Sequence, residues 1–428
     1  MILSGYSRES KAEREALLRT HLYLIRFLVI SIVTVGASSN LALALTPVKK
    51  KKASGKQMVV KIALRHVAFA AAASPAKAAP AKATGHWRAP NYADSTAGDI
   101  ATGEDPIARQ AAVQALGKLN GAIIVSDPGT GRILSMVNQK LALKSGFQPC
   151  STIKVPVALA ALSEAVVDRT TQIRLYGKTS IAMTEALARS SNQYFASLGE
   201  KLGFERMSYY ARLFGLGEKA GLDITAGINT DAEEPGILPA ATPKSGMGMM
   251  TSFGDGITLT PLEFAGLLGA VANGGTLYYL QYPKTQQEAE TLEPRVKRLL
   301  EISDLIPEIK PGMMGAVEYG TARRIGFDPN EPIYGKTGTC TDTRTPTHLG
   351  WFGSFTETNG QKVVVVVLLT GGSAVSGPAA AGVAGQVYKN LEAASFFAQN
   401  QAVGSRSPGS MGSWNGFANF MLSNAIKP

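Results

Sequence analysis

The pattern of apolar and polar positions divides the 428-residue chain into segments of different period. "GAIIVS" (121–126) and "RILSMV" (132–137) are short apolar runs on either side of "DPGTG", whose Pro and Gly mark a turn, so the pair predicts a β-hairpin. The preceding stretch, 108–119, has helical composition. "TIKVPVALAALSEAVV" (152–167) is apolar almost all round, which at this length predicts a buried helix with Ser151 in its first turn. Shorter helical stretches run from about Met183 to Phe214. "TPLEFAGLLGAVANGG" carries its own punctuation, with Thr260 as N-cap, Pro261 at the first helical position and a stop at Asn273-Gly274-Gly275. Further on, "IYGKTGTC", "GWFGSF" and "KVVVVVLLT" predict three strands, the last two joined by a tight turn at Asn359-Gly360, and a helix over about 380–398 follows. Strands at both ends with helices between them predict an α/β (α+β) fold. Its antiparallel sheet is assembled from N- and C-terminal strands, flanked by helices, with a mostly helical subdomain inserted.

Outside this region the pattern changes. Residues 27–45 form a 19-residue stretch without charge, about what a helix needs to cross a bilayer core, and they read either as an uncleaved signal anchor or as a signal peptide cut after Ala42-Leu43-Ala44. Basic residues flank the stretch on both sides, so charge does not fix its orientation. From Ala70 to Ala83 the composition collapses to Ala, Pro, Lys and Ser, a linker with too little bulky apolar surface to offset ordering entropy. The expected organisation is a cytoplasmic N-terminus (1–26), the membrane or signal segment (27–45), a basic linker and lead-in (46–105), a folded domain (106–398) and a loose tail (399–428). The formal net charge of +11 does not point to nucleic acid, because much of the excess lies before residue 90 in runs such as Lys49 to Lys52. Beyond residue 105 no basic stripe is interleaved with aromatics.

Candidate chemistry centres on Ser151. A serine needs a base to become a nucleophile, and at a helix start the amine of Lys154 lies one turn on along the same face. Lysine serves as a base only if burial or a second cation lowers its pKa, and Lys336 is a candidate for that cation. S-x-x-K alone says little, since Ser74 to Lys77 matches inside the linker, and K-[ST]-G recurs at Lys144-Ser145-Gly146 and Lys244-Ser245-Gly246. Only Lys336-Thr337-Gly338-Thr339 lies on a predicted strand. Ser151-x-x-Lys154, Ser190-Ser191-Asn192 and Lys336-Thr337-Gly338, in that order, form the three-part set of penicillin-interacting serine enzymes.

With those motifs, and with "PCSTIK", "GTARRI" and "GWFGSF", the chain from about 105 to 395 resembles the transpeptidase domain of penicillin-binding proteins. The resemblance implies that Ser151 attacks a peptide carbonyl of a D-alanyl-D-alanine stem peptide and Lys154 takes its proton. Ser190 would relay a proton to the leaving amine, and Asn192 would hold the substrate amide. Lys336, Thr337 and Thr339 would grip the terminal carboxylate, with Gly338 allowing close approach, and the amides of Ser151 and Thr339 would form an oxyanion hole. It further implies peptidoglycan stem peptides and β-lactam antibiotics as ligands, no cofactor or metal, and an extracytoplasmic domain held at the inner membrane by residues 27–45, or periplasmic if that segment is cleaved. Protein partners in cell-wall synthesis are left unnamed.

If Ser151 and Thr339 share one oxyanion hole, their neighbours Cys150 and Cys340, the two cysteines of the chain, come close enough for a disulfide. A similar pair occurs in some class A β-lactamases, and a serine β-lactamase is one alternative. It would need a deacylating carboxylate on an E-x-x-L-N type loop, whereas Glu233 and Glu234 are followed here by Pro-Gly. A β-lactam-sensing receptor domain is the other alternative. The expected pattern shows neither a glycosyltransferase domain nor the sizeable module that precedes many monofunctional relatives. His348, Glu185 and Glu318 are expected to be structural or surface residues.

Overall fold

In the computed structural model, residues 89–401 are described, apart from 178, 327, 329 and 343–345. Residues 27–45, the linker and the aromatic tail therefore lie outside the described residues. Among the described residues no helix is long and apolar enough to cross a membrane.

The frame is one antiparallel sheet. Helix α1 (Pro106–Leu116) leads into the hairpin β1 (Gly121–Ser126) and β2 (Ile133–Val137). The sheet is completed from the far end of the domain by β3 (Ile333–Thr341), β4 (His348–Thr358) and β5 (Gln361–Gly371), in the order β2-β1-β5-β4-β3. Strand β5 lies in the middle, and this explains the unbroken run of apolar residues in "KVVVVVLLT". Val364, Val366 and Leu368 point into one core, while Val363, Val365, Val367 and Leu369 point into the other. A strand covered on both faces gains from apolar side chains at every position. The β4–β5 connection is the expected tight turn, with Asn359 (φ 52°) and Gly360 (φ 77°) both left-handed, which favours Asn and Gly.

One face of the sheet is covered by α1 and by the helix α8 (Gly377–Ala393). Against the other lies α6 (Pro261–Asn273), which starts as its sequence predicts. The Thr260 hydroxyl accepts from Glu263 N–H at 3.0 Å, and the Glu263 carboxylate returns to Thr260 N–H at 2.7 Å, a reciprocal capping box. Between β2 and β3 run α2 (Lys154–Ser163), α3 (Met183–Ala188), α4 (Asn192–Leu213), α5 (Met247–Phe253) and α7 (Ile306–Glu318). This is the expected helical insertion, and the mixed fold follows the expected plan.

Three boundaries differ from expectation. Residues 89–105 are not a non-globular lead-in. The Asn91 side chain accepts from Gly372 N–H, Tyr92 bridges to Leu119, and Glu104 is 1% exposed beneath β2. Their polar composition reflects hydrogen-bonding work, not solvation. The helix expected to begin at Ser151 begins at Lys154, because Cys150–Ile153 winds as a tighter 3₁₀ turn. The closing helix begins at Gly377 and stops at Ala393, ahead of the Ser395 left-handed residue.

Candidate active site

The turn carrying Ser151 is fixed from three sides. Cys150 adopts φ 53°, a left-handed conformation costly for a non-glycine residue, which persists only where the surroundings hold it. Pro149 packs against Gly254, where a Cβ would lie 2.3 Å from Pro149 Cγ. The Gln148 carbonyl accepts from the Trp351 indole at 2.9 Å and ties the turn to the middle of β4. The third tie is a Cys150–Cys340 disulfide with the Cα atoms 5.6 Å apart, joining the Ser151 turn to β3.

Lys154 sits one turn past Ser151 with its side chain buried. Its Nζ lies 2.6 Å from Ser151 Oγ, 2.6 Å from Asn192 Oδ1 and 3.2 Å from Ser190 Oγ. Lys336 Nζ reaches the same hydroxyl from β3, 2.8 Å from Ser190 Oγ, and also bonds the Thr337 carbonyl at 3.0 Å. Ser190 thus bridges two amines, and it does so from a left-handed backbone (φ 58°) between α3 and α4. Among the described residues the hydrogen bonds of Lys154 and Lys336 go to hydroxyl, amide and carbonyl oxygens, and none to a carboxylate. Desolvation, with Lys336 adding repulsion, therefore lowers the Lys154 amine to about 6. Desolvation brings Lys336 down to about 7. Near neutral pH the first amine is free to accept a proton.

β3 is the edge strand, so its outer backbone groups are unpaired by the sheet, and this edge runs beside the Ser151 turn. Gly338 is required there, since a Cβ would lie 2.9 Å from the Pro149 carbonyl oxygen and 3.1 Å from Thr152 Cγ2. Thr337 is buried and Thr339 exposed, and the Thr339 hydroxyl accepts from Gly377 N–H at 2.7 Å at the start of α8. Ser151, Lys154, Ser190, Asn192 and Lys336 thus form one hydrogen-bonded cluster, with Thr337, Gly338 and Thr339 on the strand at its edge.

The other K-[ST]-G matches fall elsewhere, and Ser74 to Lys77 lies outside the described residues. Lys144 pairs with Glu234, and the Ser245 hydroxyl bonds Asp255. Glu185 pairs with Arg189 and accepts from the Tyr319 hydroxyl, and Glu318 is exposed. His348 lies across from Thr341 on β4. One residue of the cluster's surround was not singled out from the sequence. Thr321 Oγ1 lies 2.6 Å from Thr337 Oγ1, and its N–H reaches the Ala188 carbonyl at 3.2 Å, linking β3 to the Ser190 turn. Its only sequence signal is its place in "GTARRI" just after α7.

A half-buried serine bonded to a buried lysine, with a second amine at the edge of an antiparallel sheet, defines the active-serine class of acyl-transfer centres. Within that class the chain belongs to the penicillin binding protein transpeptidase domain family, whose family model matches residues 121–391. Among curated proteins it is 29% identical over 232 residues to stage V sporulation protein D of Bacillus subtilis, covering 48% of this chain and 34% of that protein. It is 26% identical over 350 residues to peptidoglycan D,D-transpeptidase PbpA of Mycobacterium tuberculosis, covering 65% of this chain and 69% of the relative. The match thus spans about a third of the sporulation protein and somewhat over two thirds of PbpA. Solved structures share the fold. Penicillin-binding protein A of M. tuberculosis in an imipenem acyl-enzyme complex aligns with TM-score 0.53 at 24% identity, covering 67% of this chain and 78% of that one. PBP2 of Pseudomonas aeruginosa aligns with TM-score 0.56 at 24% identity, covering 68% and 74%.

Proposed function

We propose that the chain is a serine D,D-transpeptidase acting on D-alanyl-D-alanine stem peptides of peptidoglycan. The observation that carries this reading is the 2.6 Å contact between Ser151 Oγ and the enclosed Lys154 amine, whose partners among the described residues include no carboxylate, so that desolvation lowers it to about 6. In the first half-reaction Ser151 Oγ bonds to the carbonyl carbon of the penultimate D-alanine while its proton passes to neutral Lys154. Ser190, within reach of both amines, passes a proton on to the departing amine as the peptide C–N bond breaks. Protonated Lys336, with Thr337 and Thr339, holds the terminal carboxylate, and the unpaired edge of β3 aligns the peptide as an added strand. In the second half-reaction an acceptor amine attacks the ester, the same groups take its proton, and Ser151 is released. Water in place of the amine gives carboxypeptidation.

This reading also makes β-lactams covalent inhibitors, because a strained lactam amide would acylate Ser151 and the ring would retain the leaving amine. The two acids weighed as deacylating bases are engaged elsewhere. Glu233 is buried on the N–H groups of Ala220 and Gly221, and Glu234 is engaged by Lys144 and Ser145. The domain is taken to work outside the cytoplasm, with residues 27–45 as anchor or signal. The test is mass analysis of the chain after incubation with a penicillin, and product analysis with a donor stem peptide. A stable adduct on Ser151 and release of D-alanine are expected. Rapid turnover of a chromogenic cephalosporin would contradict the transpeptidase reading.

A further inference from the structure

A cavity of about 560 Å³ lies at the other end of the sheet from the reacting centre, a size within the range of small-ligand sites. Its wall is made by Asp127 and Arg132 of the β1–β2 turn, Gln361 and Lys362 at the start of β5, Asn273 at the end of α6, and Asp105, the cap of α1. Strand register sets the separation. Gly350 of β4 pairs with Thr339 on one side and with Leu369 of β5 on the other. Gln361 lies eight residues back along β5 from Leu369, about 27 Å at the usual rise of a strand.

The wall carries hydrogen-bonding groups that the fold leaves unused. Among the described residues three enclosed side-chain polar atoms have no hydrogen-bond partner, and two of them, Arg132 Nε and Gln361 Oε1, belong to side chains of this wall. An enclosed polar atom without a partner is unfavourable, and neither atom gives up a bond when its side chain turns toward a ligand. The groups around them are held in place. The Asp127 carboxylate accepts from Gly129 N–H at 2.8 Å and from the Thr130 hydroxyl at 2.7 Å. The Asn273 amide donates to the Pro128 and Thr276 carbonyls at 2.8 and 2.7 Å, and Asp105 accepts from Ala108 N–H at 2.8 Å.

The chemistry of the wall selects the ligand. Asp105 and Asp127 stand against Arg132 and Lys362, the last paired with Glu357 at 3.6 Å, so neither an anion nor a cation is favoured overall. Apolar surface is scarce, since Leu134 and Phe396 of the same wall are 7% and 6% exposed. A neutral ligand rich in hydroxyls suits such a surface, and the two unpartnered groups ask it for one acceptor and one donor. An acetamido group supplies both, its carbonyl accepting from Arg132 Nε–H and its N–H donating to Gln361 Oε1. A peptide has the same amide, but its apolar side chains would find no pocket here. We propose that this cavity binds an N-acetylated amino sugar as one unit of a glycan strand. The choice of sugar rests on the peptidoglycan reading above, and the site holds the strand apart from Ser151, where the stem peptides react.

The experiment titrates the full chain, before and after treatment with a penicillin, with three probes followed by calorimetry: an N-acetylglucosamine oligomer, a glucose oligomer of the same length and an N-acetylated dipeptide amide. The N-acetylglucosamine oligomer is expected to bind saturably and equally before and after treatment, and more tightly than the other two probes. Its dissociation constant rises about tenfold in Arg132→Met, the loss of one charge-assisted hydrogen bond, and about threefold in Gln361→Leu. Both variants are acylated by penicillin at the native rate, and Gln361→Leu is no less resistant to urea than the native chain, since an unpartnered enclosed group has been removed. No saturable binding, binding unchanged in both variants, or equal binding of the glucose oligomer would overturn the proposal. Tighter binding of the dipeptide would overturn it in favour of a peptide, and loss of sugar binding after penicillin treatment would place the sugar at Ser151 instead. A chain that penicillin does not acylate would contradict the acyl-transfer reading alone, leaving the effect of the two variants on sugar binding to decide the site.

Discussion

Two regions of this domain bury charge, and they do so in opposite ways. Beneath β2, Glu104 and Asp99 are almost fully enclosed, and both face Arg109, whose guanidinium lies 2.9 Å from Asp99 and 3.6 Å from Glu104. Ser135, Tyr282, Gln139 and the N–H groups of Met136, Asn138 and Gln139 bond the remaining carboxylate lone pairs. At the edge of the sheet, Lys154 and Lys336 are equally enclosed, yet among the described residues no counter-ion meets them. The first arrangement is complete within the fold, and its charges hold residues 89–105 onto the sheet. The second is left incomplete among the described residues, so one amine is kept neutral and, in the proposed mechanism, the other awaits the substrate's carboxylate. A buried ion with partners is tolerated, because its partners offset the cost of desolvation that still raises both carboxylates above their ordinary values, while one without them is retained at a larger cost to stability where chemistry uses it.

The comparison is broken most sharply by replacing Lys154. Lys154→Met removes the proposed base from Ser151 without changing the packed volume much, and acylation by a penicillin is expected to fall by about 10³-fold. Urea unfolding of the same variant should show stability unchanged or raised by about 1 kcal/mol, because an enclosed amine has been exchanged for an apolar chain. The reverse outcome is expected beneath β2. Arg109→Ala strands two enclosed carboxylates and should cost about 3–5 kcal/mol in urea unfolding, with acylation per folded molecule close to native. Loss of the Cys150–Cys340 bond by Cys340→Ser comes next, at about 2–4 kcal/mol, with slower acylation because the Ser151 turn is no longer tied to β3. The last effect is on the pH dependence of stability. Both lysines bind protons in the unfolded chain at the ordinary 10.5 but in the folded chain only near 6 and 7. Between those limits the unfolded state holds more protons, so their contribution makes the domain more stable as pH rises and less stable as it falls toward 7. Melting temperatures at pH 7 and pH 9 should differ more for the native chain than for Lys154→Met.

Much of this plan was legible in the sequence, for identifiable reasons. Thr260, Pro261 and Glu263 mark a helix start through local hydrogen bonds, and Asn359-Gly360 marks a turn through backbone conformation alone, so both were placed correctly. The helical insertion followed from apolar periodicity. The residues of the centre could be named because their spacing matches a known three-part set. Their joining through Ser190 depends on a left-handed residue between two helices, which no composition reveals. Thr321 was missed for a related reason, since its role arises from a contact with a strand 16 residues away. The 3₁₀ turn at Cys150–Ile153 and the docking of residues 89–105 were also hidden. Each is set by tertiary partners, Trp351 and Cys340 for the turn, and Gly372, Leu119 and Arg109 for the lead-in.

The measurement that bears most directly on the unpaired lysine is the rate of Ser151 acylation by a penicillin between pH 5 and 8, followed by intact-protein mass. With Lys154 as the base and its pKa near 6, the rate should fall about tenfold per pH unit below that value and level off above it. A rate that is flat from pH 5 to 8, or label appearing on a residue other than Ser151, would contradict the account.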